Sequence, residues 1–126
     1  MIKKYIFQTS IMKKVVINAK YGGFGLSDDA IVMYGELKGL NLKKVKNQFG
    51  GYNYYIDDIE DEEHYFSHDE VEREDPFLIQ TVETLKEKSF GQCALLKVVE
   101  IPEDVKYFIQ EYDGFEHIAE VHRTWY

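Results

Sequence analysis

Near the carboxyl end, Val105 to Tyr112 and Phe115 to His122 are β-branched and aromatic runs separated only by Asp113-Gly114. An Asp-Gly pair supplies the two positive-φ residues that a type I′ turn requires, so the segment reads as a tight β-hairpin. A two-residue turn leaves one antiparallel register. It sets Tyr112 opposite Phe115, Ile109 opposite Ile118 and Phe108 opposite Ala119. Glu111 then faces Glu116, a like-charge pair that costs stability unless solvent or a cation screens it. The chain must therefore close on antiparallel β-structure.

The preceding residues fit around that hairpin. Val15 to Asn18 forms a short β-branched strand, and Tyr21-Gly22-Gly23-Phe24-Gly25 must be a loop. Ser27 is placed to cap a helix whose first turn holds Asp28 and Asp29. Ala30, Ile31, Tyr34 and Leu37 give that helix an apolar stripe, and Gly39 stops it. Gly35 weakens it by roughly 1 kcal/mol relative to Ala. Tyr52 to Ile56 follows Gly50-Gly51 and reads as a strand. Asp75 caps a second helix opened by Pro76, with Leu78, Val82 and Leu85 on one face, Lys86 and Lys88 near its carboxyl end and Gly91 ending it. Leu95 to Ile101 is a strand closed by Pro102. The expected class is α+β, a largely antiparallel sheet of about five strands with two helices packed on it. Residues 12–126 read as one domain, with 1–11 an N-terminal extension or a first strand.

Charge is distributed unevenly. Eleven acids and one base, Arg73, lie between Asp57 and Asp75, so this segment carries −10 of a net −8. The first twenty residues hold five lysines and no acid. Such a block reads as a solvated acidic loop, 57–75, with Tyr65, Phe66 and Val71 giving it partial order against the core. It would repel a phosphate backbone, which argues against direct nucleic-acid binding. No apolar run is long enough to cross a membrane. One cysteine, Cys93, excludes an internal disulfide and suits a reducing cytoplasm. Among 126 residues, ten Tyr and eight Phe are an unusual aromatic load.

Two segments stand out as candidate ligand contacts. The first is the loop Lys20, Tyr21, Gly22, Gly23, Phe24, Gly25 and Ser27, which joins a strand to a helix N-terminus and offers backbone donors and aromatic faces. Its glycine spacing matches neither the dinucleotide fingerprint nor the P-loop. Asp28 and Asp29 oppose an anion there, and the bland alternative is glycines that merely permit tight packing. The second is the terminus His122, Arg123 and Trp125, where an Arg grips a phosphate while an aromatic stacks on a base. A terminal Trp should otherwise be docked on the core edge. Tyr54 adds a third aromatic face. The physical expectation is that loop and terminus converge.

Other chemistry finds less support. His64 and His68, four residues apart, could share a helical face with a carboxylate and hold zinc, but the pattern departs from H-E-x-x-H and no metal or other cofactor is expected. Cys93, ahead of Ala94-Leu95-Leu96, reads as a buried core thiol. Nothing in the residues demands an enzyme.

Lys14-Val15-Val16-Ile17-Asn18 with Tyr21-Gly22-Gly23-Phe24-Gly25-Leu26-Ser27 forms one signature. Leu96 to Pro102, Glu111-Tyr112-Asp113-Gly114 and His122-Arg123-Thr124-Trp125 form another. Together they resemble a family of small proteins of tailed phages and prophages, over about Met12 to the end. The resemblance brings no catalytic residue set. It implies a phage accessory protein, counter-defence among its roles, acting in the host bacterial cytoplasm. Two functions follow as expectations. One is a non-catalytic, oligomeric binder that sequesters a small nucleotide-derived signalling molecule. The other is an acidic inhibitor of a host nucleic-acid-binding or defence protein. A small hydrolase is a third, without assignable residues.

Overall fold

A computed structural model describes residues 11–122 and Trp125. The elements are β1 (Met12–Asn18), α1 (Asp28–Lys38), β2 (Leu42–Lys46), β3 (Tyr52–Ile56), α2 (Pro76–Leu85), β4 (Leu96–Pro102), β5 (Tyr107–Tyr112) and β6 (Phe115–Glu120). The class is α+β, but the expected single sheet of five strands is not what forms. Six strands among the described residues make three two-stranded antiparallel sheets, β1 with β4, β2 with β3 and β5 with β6. The missed strand is β2, whose Leu42-Lys43-Lys44-Val45-Lys46 lacks any apolar alternation because only part of it meets the core.

Local chemistry sets the helix ends. The Ser27 hydroxyl accepts from Ala30 N–H at 3.1 Å, and Gly39 adopts φ 79° at the other end of α1. Asp75 accepts from Phe77 N–H at 2.8 Å, with Pro76 in the first turn of α2, but α2 stops at Leu85 and not at Gly91, because Lys86 turns to φ 52° and a short 3-10 turn follows. The same carboxylate, buried, takes bonds from Tyr34 Oη and Lys38 Nζ, both at 2.7 Å. Burial raises its pKa, but the hydrogen bonds from Lys38, Tyr34 and Phe77 outweigh that and hold it below the usual carboxylate range. The core gathers Val16, Ala30, Ile31, Tyr34, Leu78, Val82 and Leu96 between the helices and the β1–β4 pair.

The terminal hairpin has the register that the Asp-Gly turn demands, including Glu111 opposite Glu116. The screening cation is Arg73. Its guanidinium bonds both Glu116 oxygens, at 2.6 and 2.9 Å, while Glu116 Oε1 also accepts from Asn18 N–H at 2.8 Å. Arg73 lies 3.6 Å from the centre of the Phe24 ring as well. Asn18, fully buried, donates to the carbonyls of Lys20 and Gly114 and accepts from Leu95 N–H, each at 2.8 Å.

The acidic segment is a mostly exposed loop, ordered against the core by apolar residues that the sequence singled out. Asp57 and Asp58, both near φ +60°, reverse the chain after β3. Tyr65 then bridges Tyr55 on the side of β3 away from β2, with Phe66 N–H donating to Tyr54 O at 2.8 Å. Phe66 and Val71 enter the core, and Arg73 O accepts from Val16 N–H at 2.9 Å. Three apolar residues and one arginine suffice to anchor a stretch whose carboxylates, the buried Asp75 apart, largely face water.

Candidate functional site

The glycine-rich loop is held from two sides by backbone. On one side Gly22 N–H donates to Asp113 O at 2.9 Å, and a Cβ on Gly114 would lie 2.5 Å from Gly23 N. On the other, Gly91 N–H donates to Gly25 O at 2.9 Å, and a Cβ on Gly91 would lie 2.7 Å from the Gly25 carbonyl carbon. Leu26 bridges Phe90, and Ser27 N–H reaches Ser89 O at 3.0 Å. These glycines thus do serve close packing of chain on chain.

The same packing leaves a cleft of about 570 Å³, bounded by Gly22 to Asp28, Ile31, Tyr52, His68 and Phe90 to Cys93. It is an open cleft whose lining combines aromatic side chains with a larger share of polar groups. The N–H groups of Asp28 and Asp29 open α1 and have no acceptor within the helix. Lys44 Nζ lies 4.1 Å from the centre of the Tyr52 ring, which puts a cation beside the cleft.

His68 is the most informative side chain there. Its Nδ1 accepts from Leu26 N–H at 3.0 Å, so Nδ1 carries a lone pair. The ring is then neutral and its proton sits on Nε2. Burial lowers the His68 pKa, against smaller opposing effects of Asp69 and Asp28. A fixed hydrogen-bond donor results, held by the backbone it supports. Asp28, also in the wall, accepts from Tyr54 Oη at 2.6 Å, and burial followed by this bond raises the Tyr54 pKa.

Of the residues singled out in the sequence, Gly22, Gly23, Phe24, Gly25 and Ser27 line the cleft together. Ser27 doubles as a helix cap, and its hydroxyl donates to Lys88 O at 2.5 Å. Tyr54 is buried and reaches the cleft only through Asp28. Lys20 is exposed and outside the wall, and Tyr21 packs edge-on against Phe115 at 5.3 Å between ring centres. His122 lies elsewhere, among Asp104, Lys106 and Glu120. The turn at Gly114 rests on the glycine loop, whereas His122 follows the opposite end of β6, about 20 Å away along a strand of that length. Loop and terminus therefore do not converge through His122. Trp125 is 83% exposed, not docked, and Arg123 lies outside the described residues.

Two further expectations are corrected. Cys93 is exposed and lines the cleft, because the turn after α2 carries it past Gly22 before Ala94 and Leu96 enter the core. His64 and His68 do not share a face, since His64 Nδ1 turns to Asp61 at 2.6 Å while His68 turns to Leu26. Among the residues that sequence reasoning missed are Tyr52, the wall from Phe90 to Cys93, and His68 as a donor. The His64/His68 spacing flagged the right residue for the wrong chemistry. Comparison of the chain with protein-family models, with curated proteins and with solved structures found no match in any of the three.

Proposed function

We propose that this chain is a non-catalytic binding protein, of the phage accessory type that its sequence resembles, which sequesters a small nucleotide-derived molecule in the cleft beside His68. The observation that carries this reading is the tautomer of His68. A neutral imidazole with its proton on Nε2 offers one fixed donor for an acceptor on a base edge. Phe24, Tyr52 and Phe90 offer planar apolar surface for stacking. Asp28 supplies an acceptor, and Lys44 beside Tyr52 supplies charge for a phosphate at the mouth. The volume suits one nucleotide-sized ligand. No nucleophile paired with a base is part of this reading, and the ligand leaves unaltered.

Calorimetric titration with a panel of nucleoside mono-, di- and cyclic phosphates tests it. Binding should fall at least tenfold in His68→Ala and persist in Val121→Ala, a change at an exposed residue beyond the end of β6 opposite the turn that rests on the glycine loop. Heat denaturation should release the ligand chemically intact. Absence of binding across the panel, or conversion of the ligand, would sink the proposal.

A second reading rests on a separate observation. The carboxylates of Asp57, Glu62, Glu63, Asp69, Glu70 and Glu72 are exposed, and no ion-pair partner for them occurs among the described residues. An acidic face of this kind fits a basic protein surface in a host nucleic-acid-binding or defence protein. Its signature is partner binding that weakens steeply with salt and is lost when Glu62 and Glu63 become Gln.

A further inference from the structure

The three small sheets treat their free edges differently. β2 exposes an edge carrying Lys43, Lys44 and Lys46, and β4 carries Lys97 and Glu100 and ends on Pro102. Lysines, mixed charge and proline are the usual means of preventing an edge from pairing with another chain. The second side of β1 is covered where Val16 N–H meets Arg73 O, and that of β3 where Tyr55 bridges Tyr65. Among the described residues β5 has none of these protections. Its sequence, Tyr107-Phe108-Ile109-Gln110-Glu111-Tyr112, holds one charge, and among the described residues it pairs only with β6.

Its backbone polarity follows from the hairpin. Val121 N–H donates to Lys106 O at 2.8 Å, so Lys106 turns its polar groups toward β6. By the alternation of an antiparallel ladder, Phe108, Gln110 and Tyr112 do likewise, and Tyr107, Ile109 and Glu111 point theirs outward. The side chains of Phe108, Gln110 and Tyr112 share the face turned from the core, where Phe108 is 48% and Tyr112 76% exposed.

We propose that β5 is a self-association edge that pairs antiparallel with β5 of a second copy, with Gln110 on the two-fold axis. That register sets Phe108 opposite Tyr112 of the second copy and Tyr112 opposite its Phe108. Both are non-hydrogen-bonded pairs, in which side chains approach most closely. Ile109 and Glu111 exchange backbone hydrogen bonds across the axis, four in all, and each Glu111 faces an isoleucine. Moving the axis to Glu111 would set two carboxylates face to face, and moving it to Ile109 would set each Phe108 against a glutamine. A two-fold contact of this kind is self-complementary and closed, so assembly stops at the dimer. The four aromatic rings expose on the order of 500 Å² between them, below what a standard interface buries, which makes the dimer concentration-dependent. This inference is independent of what the cleft binds.

Sedimentation equilibrium on the full chain should show mass rising with concentration from 14.9 kDa toward twice that value. Phe108→Lys with Tyr112→Lys should hold it at the monomer mass with an unchanged far-ultraviolet spectrum. In a Cys93→Ser background, Gln110→Cys should form a covalent dimer under mild oxidation, and Ile109→Cys and Glu111→Cys should not. A monomer at every concentration, or a dimer indifferent to the double lysine change, overturns the proposal. Cross-linking strongest at Ile109 or Glu111 overturns the register.

Discussion

The β2–β3 and β5–β6 hairpins are both short antiparallel pairs, and neither could persist alone. They are attached by opposite means. β3 sends the Tyr54 ring into the core and gains the Tyr65–Phe66 segment along its second side. β6 sends in Glu116, a carboxylate, which is met by Arg73 from 43 residues away. Apolar burial tolerates small shifts better, because it is non-directional. A buried ion pair tolerates them less, because a missing partner leaves a desolvated charge. The terminal hairpin is therefore the more conditional of the two, and its turn is what the glycine loop leans on.

The largest expected effect breaks that conditional attachment. Glu116→Ala strands Arg73 and should cost about 3–5 kcal/mol in a denaturant titration. Hydrogen exchange should quicken at residues 109–118 while the β2–β3 amides stay protected. Equal loss in both hairpins would refute the contrast. Next, Gly91→Ala pushes a Cβ into the Gly25 backbone and should cost about 1–3 kcal/mol, with weakened ligand capture. Tyr54→Phe keeps the apolar anchor and removes only the bond to Asp28. It should cost about 1 kcal/mol, far less than the Glu116 change.

The smallest effect concerns acid. His68 joins the acidic segment to the glycine loop, and its folded pKa lies below the ordinary 6.5. Above 6.5 it is neutral in both states and its contribution to stability is complete. As pH falls from 6.5 through the folded value, the unfolded chain takes up the proton first, and that contribution is lost. Thermal melts between neutral pH and mild acid should show a decline in this window that His68→Gln abolishes. A decline unchanged in the variant would assign it to another group.

Elements closed by near neighbours were legible in advance. Ser27 and Asp75 cap the helices expected of them, and the Asp113-Gly114 register holds pair by pair. β2 was hidden because its lysines follow no period. In the acidic segment the anchors Phe66 and Val71 were legible as apolar residues among charges, but its path along β3 was not. In the cleft, the glycine loop was legible from its spacing. The opposite wall, Phe90 to Cys93, was not, since only the close approach of Gly91 to Gly25 brings it there.

By itself the sequence determined the Asp113-Gly114 turn, the N-caps of both helices and the order of the helices and of five of the six described strands, since each depends on dihedral preferences and hydrogen bonds satisfied within about four residues. Tertiary structure alone decided that Arg73 meets Glu116, that His68 receives the Leu26 N–H and that Cys93 faces a cleft. Those contacts join residues tens of positions apart, and which of them form depends on how the helices and three small sheets bury their apolar faces together.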